Sequence, residues 1–367
     1  PLFTFAGYLM SEGGTSQRLV RFTRSLFGWI PGGLGVVALL SCSFFTAITG
    51  ATGVTIIALG GLLFPALISE RYRENFSLGL MTTSGSLGLH FPPSLPIILY
   101  GFVSGASIEK LFVAGLLPGS LLVGILCLFS VLMGKKWKLE RPPFQFSEFR
   151  QALKGAAWEV PIPFLIILGI FSGFCTAVEA AALTVVYVLL IKTIVFRELT
   201  LTRDIPRIMK ESMMMVGGIM IVLGGALGFT NYLVDAFIPM KILGLLENMV
   251  HTRIGFLLIL NLFLLLVGCM MDIFSAIIVV VPLIIPLAEK FGVDPIHLGI
   301  IFLANLGIGY NTPPVGLNLF IASSRFDRPI MQIYRATLPF LLLLLLALIL
   351  ITYWPPLSLF LPSLLDL

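Results

Sequence analysis

The chain carries one interruption of its apolar sequence twice. Gly88-Leu89-His90-Phe91-Pro92-Pro93-Ser94 has a counterpart in Gly309-Tyr310-Asn311-Thr312-Pro313-Pro314-Val315. The spacing is 313 − 92 = 221 residues, and the same spacing relates Pro65 to Pro286 and Pro118 to Pro339. A proline lacks the amide that a helix needs and clashes with the carbonyl four residues back. Two adjacent prolines flanked by glycines therefore break a helix and leave carbonyls without intrahelical partners. At membrane depth such backbone is tolerated only inside protein or beside a water-filled cavity. Interrupted segments at matching places in two halves of an apolar chain point to the binding site of a transporter.

The membrane reading rests on composition. Hydrophobic residues make up 58% of the chain and charged residues 11%, against about 25% charged in soluble domains. Residues 340–353 and 257–267 are almost wholly apolar, and such runs follow one another without a period of two. The expected class is an all-α polytopic membrane protein rather than a barrel. The net charge of +5 comes from residues at the edges of apolar runs, which argues against a nucleic-acid surface. Cys42, Cys127, Cys175 and Cys269 are far apart in apolar segments, so they are expected to pack rather than to bind zinc or form disulfides. The chain starts at Pro1 within an apolar stretch, and one or more helices are expected upstream. It has no nucleophile–base constellation, P-loop, dinucleotide fingerprint or His/Cys cluster, so neither an enzyme nor a cofactor is expected.

Charge orients the segments. Two basic stretches, Lys135 through Lys154 and Lys192 through Lys210, are assigned to the cytoplasm. Residues 160–195 between them must cross an even number of times, as two helices turning near 172–176. Backwards from Lys135, a helix over 111–133 leads to the interrupted segment 77–103. Ahead of that, residues 31–68 are flanked by basic Arg18–Arg24 and Arg71–Arg73, which predicts a re-entrant hairpin with its tip at Ile48–Gly53. Forwards from Lys210, a helix over 212–230 exits to a loop at 231–235, and 236–250 resembles the interfacial stretch 18–29. A second hairpin over 254–288 has its tip at 268–275. The interrupted segment 296–324 and a last helix over 333–353 follow. On this count the two repeats are inverted, each with a re-entrant hairpin and a broken transmembrane helix. The expected units are 1–30 (arm), 31–110 (repeat one), 111–253 (scaffold helices and loops), 254–328 (repeat two) and 329–367 (C-terminal helix).

Carbonyls near the breaks are hard donors suited to a small cation. Thr82, Thr83, Ser84, Ser86, Ser94, Asn305, Asn311, Thr312 and Asn318 can complete its shell. Half-helix N-termini beyond the prolines offer positive dipole ends to an anion. Asp272, between apolar runs, reads either as functional or as a helix N-cap. Glu179 reads as a cap at the turn more than as a pathway residue. His90, inside the first break, reads as a polar packer more than as a ligand.

These residues carry a resemblance. Phe44-Phe45-Thr46-Ala47-Ile48-Thr49-Gly50, Ser84-Gly85-Ser86-Leu87-Gly88 with Pro92-Pro93-Ser94, Glu179-Ala180-Ala181-Ala182, and Asn311-Thr312-Pro313-Pro314-Val315-Gly316-Leu317-Asn318 are similar to the large membrane subunit of tripartite ATP-independent periplasmic (TRAP) transporters, the DctM-like family. The resemblance implies a sodium-driven importer of small organic acids in the bacterial inner membrane. It also implies partnership with a small membrane subunit and a periplasmic binding protein, and an elevator mechanism in which hairpins and broken helices slide against a scaffold. It places sodium at Thr49, Gly50, Ser84, Gly88 and Ser94, and again at Gly268, Asp272, Gly309, Asn311, Thr312 and Val315. Substrate would meet Thr52, Ser86, Pro93, Pro314 and Asn318. Departures are Thr176-Ala177-Val178 before Glu179, threonine rather than serine at 49, and polar His90 and Asn311 where apolar residues are common. The alternatives are a single-component carboxylate transporter or antiporter of a related inverted-repeat fold, a channel, and an intramembrane protease using Asp235 and Asp272.

Overall fold

The computed structural model describes residues 1–139, 143–172, 174–235 and 252–365, and every regular element among them is helical. A short α1 (Leu2–Ser11) turns into the amphipathic α2 (Thr15–Phe27), whose inner face buries Thr15, Leu19 and Thr23. The first hairpin is α3 (Gly33–Thr49) and α4 (Thr52–Ser69), joined only by Gly50 and Ala51. Gly50 sits at φ 66°, a left-handed conformation that glycine adopts without a Cβ penalty. The first broken helix is α5 (Glu74–Ser84), a 3-10 turn over Leu87–His90, and α6 (Leu95–Ser104), with a 46° bend across the break.

Next come α7 (Ile108–Ala114) and α8 (Leu116–Lys136), where the sequence predicted one helix over 111–133. Gly115 divides them and lies against the break: a Cβ there would come within 2.2 Å of the His90 carbonyl. An amphipathic α9 (Phe146–Ala156) occupies part of the stretch read as polar loop. Then α10 (Ile162–Phe171) and α11 (Ala177–Leu190, continued by a π turn over Ile191–Val195) form the expected pair. The turn between them is closed by a capping box of Thr176 and Glu179, the structural role read for Glu179. One long α12 (Asp204–Asp235) replaces the helix over 212–230 and its loop. Pro206 lies in its first turn, where a missing amide costs little, and no later Gly-Pro signal stops it. The interfacial stretch predicted at 236–250 lies outside the described residues.

The second repeat follows as α13 (Arg253–Met270), α14 (Ile273–Lys290), α15 (Pro295–Gly309), α16 (Leu317–Phe326) and α17 (Ile330–Tyr353), with a short α18 (Pro356–Leu364) that the sequence reading did not anticipate. The starts of α14 and α15 fall 221 residues after those of α4 and α5 (273 − 52 and 295 − 74). Both breaks contain a cis Pro-Pro bond, Pro92-Pro93 and Pro313-Pro314. Among the described residues seven helices are long and apolar enough to cross a membrane, with the bent pair an eighth. Three of the seven are hairpin arms, and length alone would let each span. Their tips nevertheless pack against the helix breaks, Gly50 against Leu95 and Gly268 against Gly309, as the tips of re-entrant hairpins do. The two repeats run through the same order of elements, a hairpin followed by a broken helix, the pattern of inverted-repeat transporters.

The repeats clasp each other crosswise. The outer arm α4 packs on α16 of the other repeat, and the outer arm α14 packs on α6. Gly53 and Gly60 of α4 face Ile321 and Phe326, so backbone and side chain approach closely without a hydrophobic driving force in lipid. At one corner α2 meets the ends of α10 and α11 through charge. Arg18 Nη2 lies 2.5 Å from Glu159 and its Nη1 2.5 Å from Glu198, while Lys192 Nζ donates to Glu198 at 2.9 Å and to Thr15 at 2.5 Å. Glu159 and Lys192 are fully buried. Such groups are stable inside only when all are partnered, and this set is neutral. Burial alone would raise the Glu198 carboxyl, but hydrogen bonds from Arg18 and Lys192 outweigh it and hold the group down at about 2.

Candidate functional site between the hairpin tips and helix breaks

The first tip and first break are pressed together. A Cβ on Gly88 would lie 2.2 Å from the Ser43 carbonyl and 2.6 Å from Thr46, so only glycine lets the 3-10 turn seat on α3. Thr46 donates to the Gly85 carbonyl at 2.9 Å and shares a 2.6 Å hydroxyl contact with Thr55, tying both arms to the break. The Leu95 side chain covers Gly50, which brings Thr49 and Gly50 beside the start of α6, where Ser94 stands. Ser94 Oγ is buried without a partner among the described residues. Ser84 is not brought to the tip. Its hydroxyl donates to Met81 O, and its neighbour Gly85 is level with Thr46, one turn below Thr49. The Thr49 hydroxyl donates back to Phe45 O at 2.9 Å.

The second tip repeats this with different chemistry. Gly309, the counterpart of Gly88, has backbone atoms of Gly268 2.6 Å from where its Cβ would stand. Gly316 N–H donates to Cys269 O at 2.9 Å, so break and tip share a backbone hydrogen bond. Tyr310, buried, accepts from Ile273 N–H at 2.5 Å and holds the start of α14. Asp272 is exposed and caps α14: Oδ1 accepts from Phe274 and Ser275 N–H, each at 3.0 Å, and Oδ2 from the Ser275 hydroxyl. Thr312 donates to Ile308 O at 3.0 Å. Val315 is exposed, as are Pro313 and Pro314, whereas Pro92 and Pro93 are buried. The Pro314 carbonyl accepts from the Tyr334 hydroxyl.

Between the breaks the repeats are joined by amides. Asn311 Nδ2 donates to Ser86 Oγ and to Gly307 O, both at 3.0 Å, and Asn311 Oδ1 accepts from Asn318 Nδ2 at 3.2 Å. All three side chains are buried, and Asn318 Oδ1 has no partner among the described residues. Thr52 joins this centre, because its carbonyl lies 3.1 Å from the Cβ position of Gly85, next to Ser86. Three helices start here with no side-chain cap: α4 after Ala51, α6 after Ser94 and α16 after Gly316. First-turn amides of α4 and α6 are left as donors, whereas in α16 the Asn318 N–H donates to the Tyr310 carbonyl at 3.1 Å; the dipoles make the centre positive without a basic side chain. Only α14 is capped, by Asp272.

The arrangement brings together Thr49, Gly50 and Ser94 at one tip, Gly268, Gly309 and Asp272 at the other, and Thr52, Ser86, Asn311 and Asn318 between them; Gly88, like Ser84, lies lower, against Ser43 and Thr46. His90 points away, its Cβ against Gly119 of α8, with both ring nitrogens buried and unpartnered among the described residues. Sequence reasoning missed Tyr310, Thr46 and Thr55. The signal for Tyr310 was present in the break itself, but a tyrosine there reads as apolar filling.

The chain is similar to known transport proteins. The family described as "Tripartite ATP-independent periplasmic transporter, DctM component" matches residues 1–357. The chain is 34% identical to the C4-dicarboxylate TRAP transporter large permease of Rhodobacter capsulatus over 387 residues, covering all of this chain and 87% of that protein. It is 33% identical over 365 residues to the sialic acid TRAP transporter large permease of Vibrio cholerae, covering 99% and 85%. Against the isethionate TRAP transporter permease of Oleidesulfovibrio alaskensis it is 35% identical, covering 98% of this chain and 57% of that one. The crystal structure of the Alcanivorax borkumensis YdaH transporter, described as having an unusual topology, superposes with a TM-score of 0.64 over 96% of this chain and 84% of that one. At 15% identity it shows a shared fold.

Proposed function

The chain belongs to the DctM-component family of tripartite ATP-independent periplasmic transporters, as a multi-pass inner-membrane permease, and we propose that it imports a small organic acid by sodium coupling. The observation that carries this reading is the centre itself: three uncapped helix N-termini converge on the Ser86–Asn311–Asn318 amide chain with no basic side chain in the group. Dipole ends and amides suit a carboxylate, and a site so weakly charged calls for a cation bound with it. Oxygen donors for that cation flank the centre, with Thr49 and Ser94 on one side and Thr312 and Asp272 on the other.

Sodium at the tips would draw each hairpin onto its break, and the anion would complete the contact. A ligand shifts an equilibrium only by its differential affinity for the two states. Coupling then resides in the tips that both ligands share. The hairpins and broken helices form the moving unit, and α10–α12 form the frame. A periplasmic binding protein delivers the acid, and a small membrane subunit completes the frame; relatives named for dicarboxylate, sialic acid and isethionate support an organic acid as substrate, beside others named for ectoine. Proteoliposome uptake with the binding protein tests this. It is expected to require a sodium gradient and to fall at least about tenfold in Thr312→Val, the effect of losing one charge-assisted contact. Undiminished uptake without sodium rejects the coupling. Uptake by the membrane part alone rejects dependence on a binding protein.

A further inference from the structure

We propose that a cavity of about 470 Å³ at the cytoplasmic membrane edge, between α2, α4 and the α9 end, is a site for the headgroup of an anionic phospholipid. Its wall changes character with depth. Arg21, Arg24 and Gln145 form the polar rim, and Leu62, Trp29 and Phe144 the apolar floor. Arg24 Nη2 lies 2.7 Å from Glu70, at the end of α4, while Leu62 is eight residues earlier on that helix. Eight residues of helix put the floor about 12 Å below the rim. A phosphate above and acyl carbons below match that profile, whereas a free anion would leave the floor unused.

The rim retains donors. Arg21 uses Nε toward Glu148 and Nη2 toward Gln151, and Arg24 uses Nη2 toward Glu70; among the described residues Arg21 Nη1 and Arg24 Nε and Nη1 stay available as donors. Spare guanidinium N–H groups on adjacent turns of one helix suit phosphate oxygens. The surroundings favour negative lipid. Lys135, Lys136, Arg150 and Lys154, on the end of α8 and on α9, have no acidic partner among the described residues. Basic residues beside a membrane attract anionic headgroups. Trp29 and Phe144 in its wall are about half exposed, and aromatic side chains of this kind are enriched where membrane meets water. The cavity touches both the amphipathic α2 and the hairpin arm α4, so a lipid there would bridge the two.

Native mass spectrometry of the delipidated protein, titrated with phosphatidylglycerol or phosphatidylethanolamine, tests this. Phosphatidylglycerol is expected to be retained preferentially, and Arg21→Gln with Arg24→Gln to lower that retention at least about threefold, the order of one surface charge contact. Glu148→Gln removes the carboxylate competing for Arg21 and is expected to raise retention. A purely structural role predicts loss in both variants, so opposite signs identify the site even where the double variant folds poorly. Equal retention of the two lipids, or no rise in Glu148→Gln, overturns the proposal. So does displacement of phosphatidylglycerol by glycerol phosphate at equal concentration, which would assign the rim to free phosphate.

Discussion

Asn311 holds three partners at once, one of them from the other repeat. Asn311→Ala leaves Ser86 Oγ, Gly307 O and Asn318 Nδ2 buried with a bond missing. The expected loss of stability is about 1–3 kcal/mol, the cost of buried groups left unsatisfied. Ser86→Ala removes the bond from Asn311 and a longer one to Thr83 O within its own turn, leaves Asn311 its other two partners, and is expected to cost about 1 kcal/mol. Thermal unfolding in detergent checks the order, and equal effects would mean that Asn311 is not the centre of the chain. Asp272 shows how a residue can be conspicuous in sequence for a local reason. A carboxylate between apolar runs stands out, yet in the structure it first of all satisfies two amides of its own helix. Tyr310 is the reverse case: a tyrosine in an apolar run suggests packing, and only the fold reveals that its hydroxyl fixes the second tip.

Breaks and hairpins were legible because glycine and proline act locally. The tip at Gly50, the cis-proline breaks and the α10–α11 turn all fall where the punctuation put them. The elements that escaped have no such signal. Gly115 divides α7 from α8 through its closeness to His90 O, a contact made across the fold. At the element scale the repeat makes a paired prediction about glycine. Gly309→Ala would push a Cβ to 2.6 Å from Gly268 backbone, whereas Gly307→Ala meets nothing nearer than 3.7 Å. The first is expected to cost about 1–3 kcal/mol by overpacking. The second is expected to be neutral, or to stabilise by up to about 1 kcal/mol through helix propensity. Melting temperatures of the two variants decide it, and a neutral Gly309→Ala would show that the tip and break are not seated as described.

At the scale of the molecule, charge fastens the amphipathic α2 to the ends of α10 and α11. Arg18 reaches Glu159 and Glu198, 141 and 180 residues away in sequence, and nothing local announces such pairs. The folded Glu198 carboxyl, at about 2, lies below the ordinary glutamate value of about 4.3. Its contribution to stability is therefore fully present above about pH 4.3 and is lost as the pH falls toward 2. Melting temperature is expected to stay level down to that point and then drop, and to drop less in Glu198→Gln, which a pH series of thermal scans measures. The crosswise clasp has a consequence in time as well. A ribosome delivers α4 and goes on for some 250 residues before α16 exists (317 − 69 = 248). Throughout that interval the glycine stripe of α4 can rest only against acyl chains, which accept it at little cost because lipid is as apolar as the helix that will replace it. The newborn protein must therefore wait in the bilayer half-assembled, and its first hairpin is among the last pieces to find its neighbour.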